Sequence, residues 1–398
     1  MSHATSLPTR TSVLIIGGGI QGLSIAYNLA ARGERHVVVL DAGYFQGGSS
    51  GRNGTMIRGG FMSEAWTSLF ALANRRWIEL SRRLRRNVMF SRRGYLLIAE
   101  EERTAGRFEG AIDVHRRLGV RSRRVNLQEL ANLAPAIRQD TVRDAIYLPD
   151  GGVAPHQAAM MAYLEAAREL GVQVRYQTPV TGISRRGGEV TCVSGEGFEI
   201  DCEQIVIAAG AATNTVAGLL GADVPAHPLR IEAMALEPVR PILRPGVAFI
   251  DRLCYVSQTA RGEIVGGTEV PESPHHTLAS DLPSIAANAR VYCDMLPCLA
   301  NLRILRQWAG FLHVTPDFGP LIGLLPSFSN VWVSAGWCYG YAAAPAVGEL
   351  LSEAIAGDGV DGRLAPFALD RFARNQPVVE GGIVVASPEA NADSARAG

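Results

Sequence analysis

Three features of this 398-residue chain predict an α/β architecture in which a parallel sheet is interleaved with a second, mostly antiparallel one. Near the start, a short apolar strand runs straight into a glycine turn and a helix, and the helix leads to another apolar strand. Similar unbroken apolar runs recur at the middle and the end of the chain. Between them lie longer segments rich in β-branched and aromatic residues. Parallel strands buried on both faces read as continuous apolar runs, whereas antiparallel strands tolerate a mixed pattern.

Residues 13–16 (VLII) are the first strand, followed by Gly17, Gly19 and Gly22 in a GxGxxG spacing. The helix predicted over 23–32 stops at Gly33, and the strand over 37–40 ends at Asp41. Together they make a βαβ unit of about 30 residues. Gly17 permits the tight turn, Gly19 lets the backbone approach a pyrophosphate, and Gly22 lets helix and strand pack closely. The helix N-terminus, from Ile20 and Gln21 onward, presents free N–H groups and a positive dipole end to phosphate. Asp41, nineteen residues past Gly22, stands where a carboxylate accepts hydrogen bonds from ribose hydroxyls and disfavours a 2′-phosphate. The strand, turn, helix and acid in register predict a dinucleotide site.

The residues after Asp41 favour FAD over NAD. The loop 47–54 (GGSSGRNG) holds Ser49, Ser50, Arg52, Asn53 and Gly54, small or hydrogen-bonding residues suited to wrapping the second part of an extended cofactor. It leads to Thr55, Met56, Ile57 and Arg58, where an NAD enzyme would begin its next βαβ repeat. The segment 177–183 (QTPVTGI) offers the Val180 backbone to adenine, and the apolar run 205–211 ends in the small residues Ala209 and Gly210.

The remaining pattern predicts an arginine-rich helix over 65–86, a strand over 94–99 and a helix over 108–118. The arginines of the first of these read as a solvated face opposite a buried stripe, or as a docking face for an acidic partner. A helix follows Pro155, strands lie at 172–174 and 203–209, and a hairpin at about 182–200. Residues 226–270 and 302–314 suit an antiparallel sheet, and 331–334 (VWVS) is a further buried strand. It is followed by Gly336 and a helix over 345–356. The organisation is discontinuous: 12–90, 141–225 and 315–375 form the cofactor domain, 91–140 and 226–314 the substrate domain, and 376–398 a flexible tail.

All 38 basic residues are arginine, which excludes Schiff-base lysine chemistry and a Walker-type phosphate lysine. A formal net charge of zero argues against nucleic acid as the main partner. The six cysteines form no CxxC pair and no cluster with histidine, so reduced thiols in a cytoplasmic protein are expected, with neither a disulfide framework nor a metal site. The first twelve residues lack the order of a signal peptide, and no run approaches the ~18 apolar residues of a membrane span.

The motifs GGGIQG, GRNGTMIR, NVMFSRRG, QTPVTGI, YVSQ at 255–258, RQWAG at 306–310, VTPDFGPLIG at 314–323 and SAGWCYGY at 334–341 run through almost the whole chain. With them the sequence resembles the D-amino-acid-oxidase-like flavoproteins, which have a glutathione-reductase-type FAD domain. Within these it is similar to the β-subunit branch of the heterotetrameric sarcosine oxidases. The resemblance implies hydride removal from the carbon beside an amine nitrogen to flavin N5, on a sarcosine-like N-alkyl amino acid or another secondary amine, with α-type and small partner subunits. A D-amino-acid, hydroxyproline or opine dehydrogenase shares every cofactor motif, and a catalytically silent flavin-holding subunit is the alternative outside enzymes.

The resemblance further implies that Arg58 binds the substrate carboxylate, a role suited to its two-pronged fork. Gly336, Gly340 and Ala342 border the flavin, His313 faces it as a catalytic candidate, and Tyr255, a further catalytic candidate, and Trp337 line the substrate pocket or belong to the core. Where sarcosine-oxidising relatives carry a Phe-Lys pair, this chain has Tyr341-Ala342, so one carboxylate anchor is absent: the substrate is larger than sarcosine, or lacks its carboxylate, or meets the Tyr341 hydroxyl instead. The oxygen-activating lysine of monomeric relatives corresponds roughly to Ile264, which favours electron transfer to a second centre. No cysteine precedes the TPD motif at 310–314, so FAD is held noncovalently, and Cys338 is a small buried side chain. His156 corresponds to the attachment site of a second flavin, FMN, at a subunit interface; helix capping and packing are its other reading.

Overall fold

The computed structural model describes residues 6–268 and 277–384. The chain opens with β1 (Arg10–Ile16), α1 (Ile20–Ala31) and β2 (Val37–Leu40), then β3 (Met56–Ile57), α2 (Glu64–Arg83) and β4 (Tyr95–Ala99). Next come α3 (Glu102–Ala105), α4 (Phe108–Arg117), β5 (Arg123–Arg124), α5 (Leu127–Leu133), β6 (Asp144–Leu148) and β7 (Gly152–Val153). The middle holds α6 (His156–Glu169), β8 (Gln173–Arg175), β9 (Gly182–Arg186), β10 (Glu189–Gly195), β11 (Phe198–Ile207) and α7 (Thr213–Gly218). Then follow β12 (His227–Leu236), β13 (Gly246–Phe249), β14 (Cys254–Gln258), β15 (Ile264–Thr268) and α8 (Leu282–Met295). The last elements are β16 (Ile304–Val314), β17 (Leu321–Leu324), β18 (Val331–Ala335) and α9 (Gly340–Ile355).

The first sheet runs β17-β18-β11-β1-β2-β8, with the β9–β10 hairpin extending from β11. Strands β18, β11, β1, β2 and β8 run parallel through four pairings, and β17 pairs antiparallel with β18. Strands from the start, middle and end of the chain therefore meet side by side, as their apolar runs anticipate. All four residues of β2 are buried, which fits a strand covered on both faces. The second sheet, β16-β12-β15-β14-β13-β4-β6-β5, is antiparallel apart from the β4–β13 pair.

Helices α1 and α9 cross closely, because a Cβ on Gly348 would lie 2.1 Å from the Ser24 hydroxyl oxygen. The sequence places the start of α9 at Pro345; the helix instead begins at Gly340 and runs through the proline. A mid-helix proline removes one N–H and disturbs the preceding turn. Donors from other elements tie this first part of the helix down: Gln21 Nε2, Trp77 Nε1 and Ser24 Oγ donate to the carbonyls of Gly340, Ala342 and Ala344 at 2.6, 2.9 and 2.8 Å. Helix α8, capped by the Asp281 side chain with a proline in its first turn, had no counterpart among the sequence-predicted elements.

The arginine face of α2 is largely intramolecular. Arg76 and Arg83 both reach Glu349 of α9 at 2.6 Å, and Arg86, just beyond the helix, pairs with Glu165 of α6 at 2.6 Å. The expectation of a loose tail from 376 is corrected over its described part. Val378, Glu380 and Ile383 are buried, and the Glu380 carboxylate accepts from the N–H groups of Met62, Ser63 and Gly382 at 2.9, 2.8 and 2.6 Å. Residues 385–398 lie outside the described residues.

Candidate active site

A cavity of about 1020 Å³ extends from the glycine turn to the second sheet. At one end, the β1–α1 turn is shaped by what glycine omits. Gly17 has φ +118°, and a Cβ there would lie 2.3 Å from the Ala208 carbonyl oxygen. A Cβ on Gly22 would lie 1.9 Å from the Gly17 carbonyl oxygen. Gly22 is thus a packing residue behind the wall, while Gly17, Gly19, Ile20 and Gln21 line it. The Ile20 N–H donates to Ser50 Oγ at 3.0 Å, which ties the helix start to the loop beyond β2.

Asp41 lines the cavity, and its carboxylate accepts from the Gly18 and Gly43 N–H groups, each at 2.7 Å. These bonds orient the carboxylate and leave it further lone pairs for hydroxyl donors. Tyr176 donates its hydroxyl to the Gly18 carbonyl at 2.9 Å, and the exposed Tyr44 stands nearby on the cavity wall. Neither tyrosine was singled out in the sequence, where an aromatic after a strand carries no distinguishing spacing.

Ser49, Ser50, Arg52, Asn53 and Gly54 all line the cavity. Their loop is stapled to β16: Ser49 Oγ donates to the Phe311 carbonyl at 2.5 Å, and Trp308 Nε1 donates to the Arg52 carbonyl at 2.9 Å. Ala209, Gly210, Gly340 and Ala342 line the opposite side. The buried Nε2 of Gln46, also on the wall, has no hydrogen-bond partner. An elongated cavity with a glycine cradle, a ribose-type acid and an orphaned amide donor fits an extended dinucleotide such as FAD.

Besides Gly22, four expected site residues stand off the wall. The Val180 side chain packs beside the core under the first sheet, and Val180 is not among the residues lining the cavity. Gly336, with φ +70°, shapes the turn after β18. His156 opens α6 outside the cavity. Arg58 is 2% exposed and sits in a cage of Phe61, Tyr95 and Tyr339, with its Cζ 4.0, 5.2 and 5.6 Å from their ring centroids. Tyr95 and Tyr339 line the cavity; Arg58 lies behind them. Its Nη2 donates to the Gly382 carbonyl, while Nε and Nη1 are buried without partners.

The substrate-side wall is formed by Tyr95, Tyr255, Tyr339 and Trp337 with Gly267. Burial pushes the phenols of Tyr95, Tyr255 and Tyr339 up, so all three are neutral. The Tyr341 hydroxyl, expected to replace a missing carboxylate anchor, instead donates to the Ala154 carbonyl at 2.8 Å. Cys338 borders the cavity with its thiol pushed up to about 12 by burial, which keeps it protonated.

His313 lines the cavity, yet both ring nitrogens are engaged. The Gly336 N–H donates to Nδ1 at 3.1 Å, which fixes the proton on Nε2, and Nε2 donates to Asn214 Oδ1 at 3.0 Å. These two bonds fix the orientation of the ring at the cavity wall. Burial, with the charge of His227 acting in the same sense, pushes His313 down to about 4. The unfolded chain then binds the extra proton between pH 6.5 and 4, so this group's contribution to stability falls as pH drops through that window, by roughly 3 kcal/mol at most. Thermal melts of FAD-loaded protein should show this loss, and His313→Gln should flatten it. Equal pH slopes for the two proteins would refute it.

Residues 12–354 match the family described as FAD dependent oxidoreductase. The chain belongs to that family. Sarcosine oxidase subunit beta of Rhodobacter capsulatus is 28% identical to this FAD dependent oxidoreductase over 379 residues, covering 93% of this chain and 91% of its own. The formaldehyde-forming 4-methylaminobutanoate oxidase of Paenarthrobacter nicotinovorans is 28% identical over 373 residues, covering 89% of this chain and 45% of its own. The crystal structure of L-proline dehydrogenase from P. horikoshii superposes with a TM-score of 0.89 at 28% identity, covering 94% of this chain and 100% of that one. The protein is an FAD-dependent oxidoreductase acting on amines or amino acids. No helix among its described residues is long and apolar enough to cross a membrane.

Proposed function

We propose that this chain oxidises a secondary amine bearing a carboxylate, an N-alkyl amino acid of the sarcosine type, at the carbon beside nitrogen. The observation that carries this reading is Arg58, a buried guanidinium at the aromatic end of the cavity with two nitrogens lacking partners. A buried cation without its full set of acceptors is a site prepared for an anion. FAD, when bound, supplies the electron-accepting chemistry. The chain's own residues position the substrate: Arg58 receives the carboxylate, and the neutral phenols of Tyr95, Tyr255 and Tyr339 enclose the amine and exclude water. The high phenol pKa values leave these tyrosines as hydrogen-bond donors and not as bases.

The relatives named as sarcosine oxidase subunit beta support a further part of the reading, that the chain works as the β-like subunit of a hetero-oligomer. His156 is its candidate FMN site: the ring is partly exposed, burial pushes its pKa down, and its Nδ1 has no partner.

Anaerobic bleaching of the flavin by a panel of amines tests the central claim. N-methyl amino acids should bleach it, D-amino acids or hydroxyproline should not, and a silent assembly subunit would respond to none. Arg58→Met should raise the KM for a carboxylate-bearing amine by ~10–100-fold, the value of a charge-assisted hydrogen-bonded pair. It should not raise the KM of the corresponding amine without a carboxylate. Equal losses for both substrates, with FAD content intact, would remove Arg58 from this role.

A further inference from the structure

The segment just inside the described C-terminus meets the candidate substrate site twice. The Gly382 carbonyl takes the Nη2 donor of Arg58, and Val384, two residues on, forms part of the cavity wall. The Val384 N–H is held by the hydroxyl oxygen of Tyr339 at 3.0 Å, and Tyr339 is itself a wall of the Arg58 cage. A neutral carbonyl thus occupies one donor of a cation whose other two nitrogens are empty, and the cation stands behind the wall that this segment helps to build.

Among the described residues, a carboxylate anchor stands at the start of the segment. Glu380 is clamped by three backbone N–H groups, two of them from residues 62 and 63 at the start of α2. After this anchor come Gly381 and Gly382, a pair with the backbone freedom to swivel. Beyond the pair, Ile383 is 5% exposed and Val384 packs beside the core under β4. Anchor, pivot and apolar leaf follow one another within five residues.

We infer that residues 380–384 form a substrate-displaced strap: Glu380 holds it, Gly381–Gly382 turn it, and the Gly382 carbonyl occupies Arg58 until a substrate carboxylate takes its place. The inference rests on the reading of Arg58 as the carboxylate site. The exchange replaces one neutral acceptor by a charged one that engages more of the guanidinium, and it moves Val384 away from the wall. Closed, the strap seals the apolar end of the cavity and screens Arg58 from other anions. Substrates are thereby selected for a carboxylate able to displace the carbonyl, and amines lacking one meet the closed wall.

Sodium propionate, a carboxylate with no amine to oxidise, is the probe. It is titrated into the FAD-loaded full chain and into Ile383→Asn, whose leaf loses its apolar seat, with flavin absorbance reporting binding. The variant should bind propionate about tenfold tighter, the factor expected when removing the closed form of a strap open ~10% of the time. In the full chain, saturating propionate should speed hydrogen exchange at the amides of residues 382 and 384 and leave those of 62 and 63 protected. Equal or weaker binding by Ile383→Asn, or unchanged exchange at 382 and 384 on saturation, overturns the strap. Should propionate bind both proteins equally and Arg58→Met abolish it, the strap fails while Arg58 keeps its role. Should propionate bind neither, both fail together.

Discussion

Gly22→Ala is expected to yield protein without yellow colour. The added methyl would sit 1.9 Å from the Gly17 carbonyl oxygen, a backbone atom that moves only if the turn moves. Overpacking a well-packed site costs ~1–3 kcal/mol or more. Here the displacement falls on the turn that meets the pyrophosphate, so FAD affinity should drop by ~100-fold or more. The ratio of flavin to protein absorbance after purification measures the effect, and far-ultraviolet circular dichroism compared with FAD-stripped wild type separates loss of cofactor from loss of fold. Gly110→Ala on α4, where an added Cβ meets nothing within 4 Å, is the control and should keep full FAD content. A yellow Gly22→Ala protein with wild-type FAD content would contradict the cradle.

Arg371→Ala is expected to destabilise the fold without touching the cavity. Arg371 and Asp317 are paired with side chains 1% and 5% exposed. The guanidinium makes two bonds to the carboxylate, at 2.9 and 2.7 Å, and donates to the carbonyls of Pro320 and Gly319 at 2.8 and 2.9 Å. Asp317 also accepts from the Val378 N–H at 2.7 Å, which fastens the start of the strap-bearing segment. Removing one partner leaves a buried, uncompensated charge, at a cost of ~3–5 kcal/mol. The melting temperature should fall by about 4–6 °C.

The pair also sets a pH dependence. Burial alone would raise the pKa of Asp317, but the Arg371 hydrogen bonds and the Val378 N–H outweigh it and hold the carboxyl below 3.8. A depressed folded pKa contributes stability above the unfolded value, and that contribution is lost as pH falls through the folded one. Wild type should therefore lose stability steeply below about pH 4, and Arg371→Ala combined with Asp317→Asn should lose it more gradually while recovering part of the single variant's deficit. A melting temperature for Arg371→Ala within a degree or so of wild type would show that the pair is not structural.

The cofactor half of the site was legible because its requirements are local. A turn that must admit phosphate needs glycine at fixed offsets, and a ribose acid must follow the second strand, so Gly17, Gly19, Gly22 and Asp41 are recognisable within thirty residues of one another. The loop 47–54 was legible for the same reason. The TPD motif was recognisable too, although its aspartate proves to serve Arg371, a residue in no motif and 54 positions away. Arg58 was found by its place in a motif, but its enclosure was not, because Phe61, Tyr95 and Tyr339 come from three separate segments. His313 and Tyr341 were read as chemistry from their neighbourhood; that Gly336, Asn214 and Ala154 hold their polar atoms was not legible, because those partners come from other segments.

From its sequence alone this chain declared the interleaved sheets, the FAD cradle and the kind of reaction, since each follows from spacing and polarity along short stretches of backbone. The tertiary structure decided which polar groups remain unspent, and that depends on partners brought from distant segments. The same separation explains the C-terminal segment. Its run of Glu, two glycines and apolar residues has no helical or strand period to announce it, and its role emerges only when Glu380 meets the start of α2 and Gly382 meets Arg58.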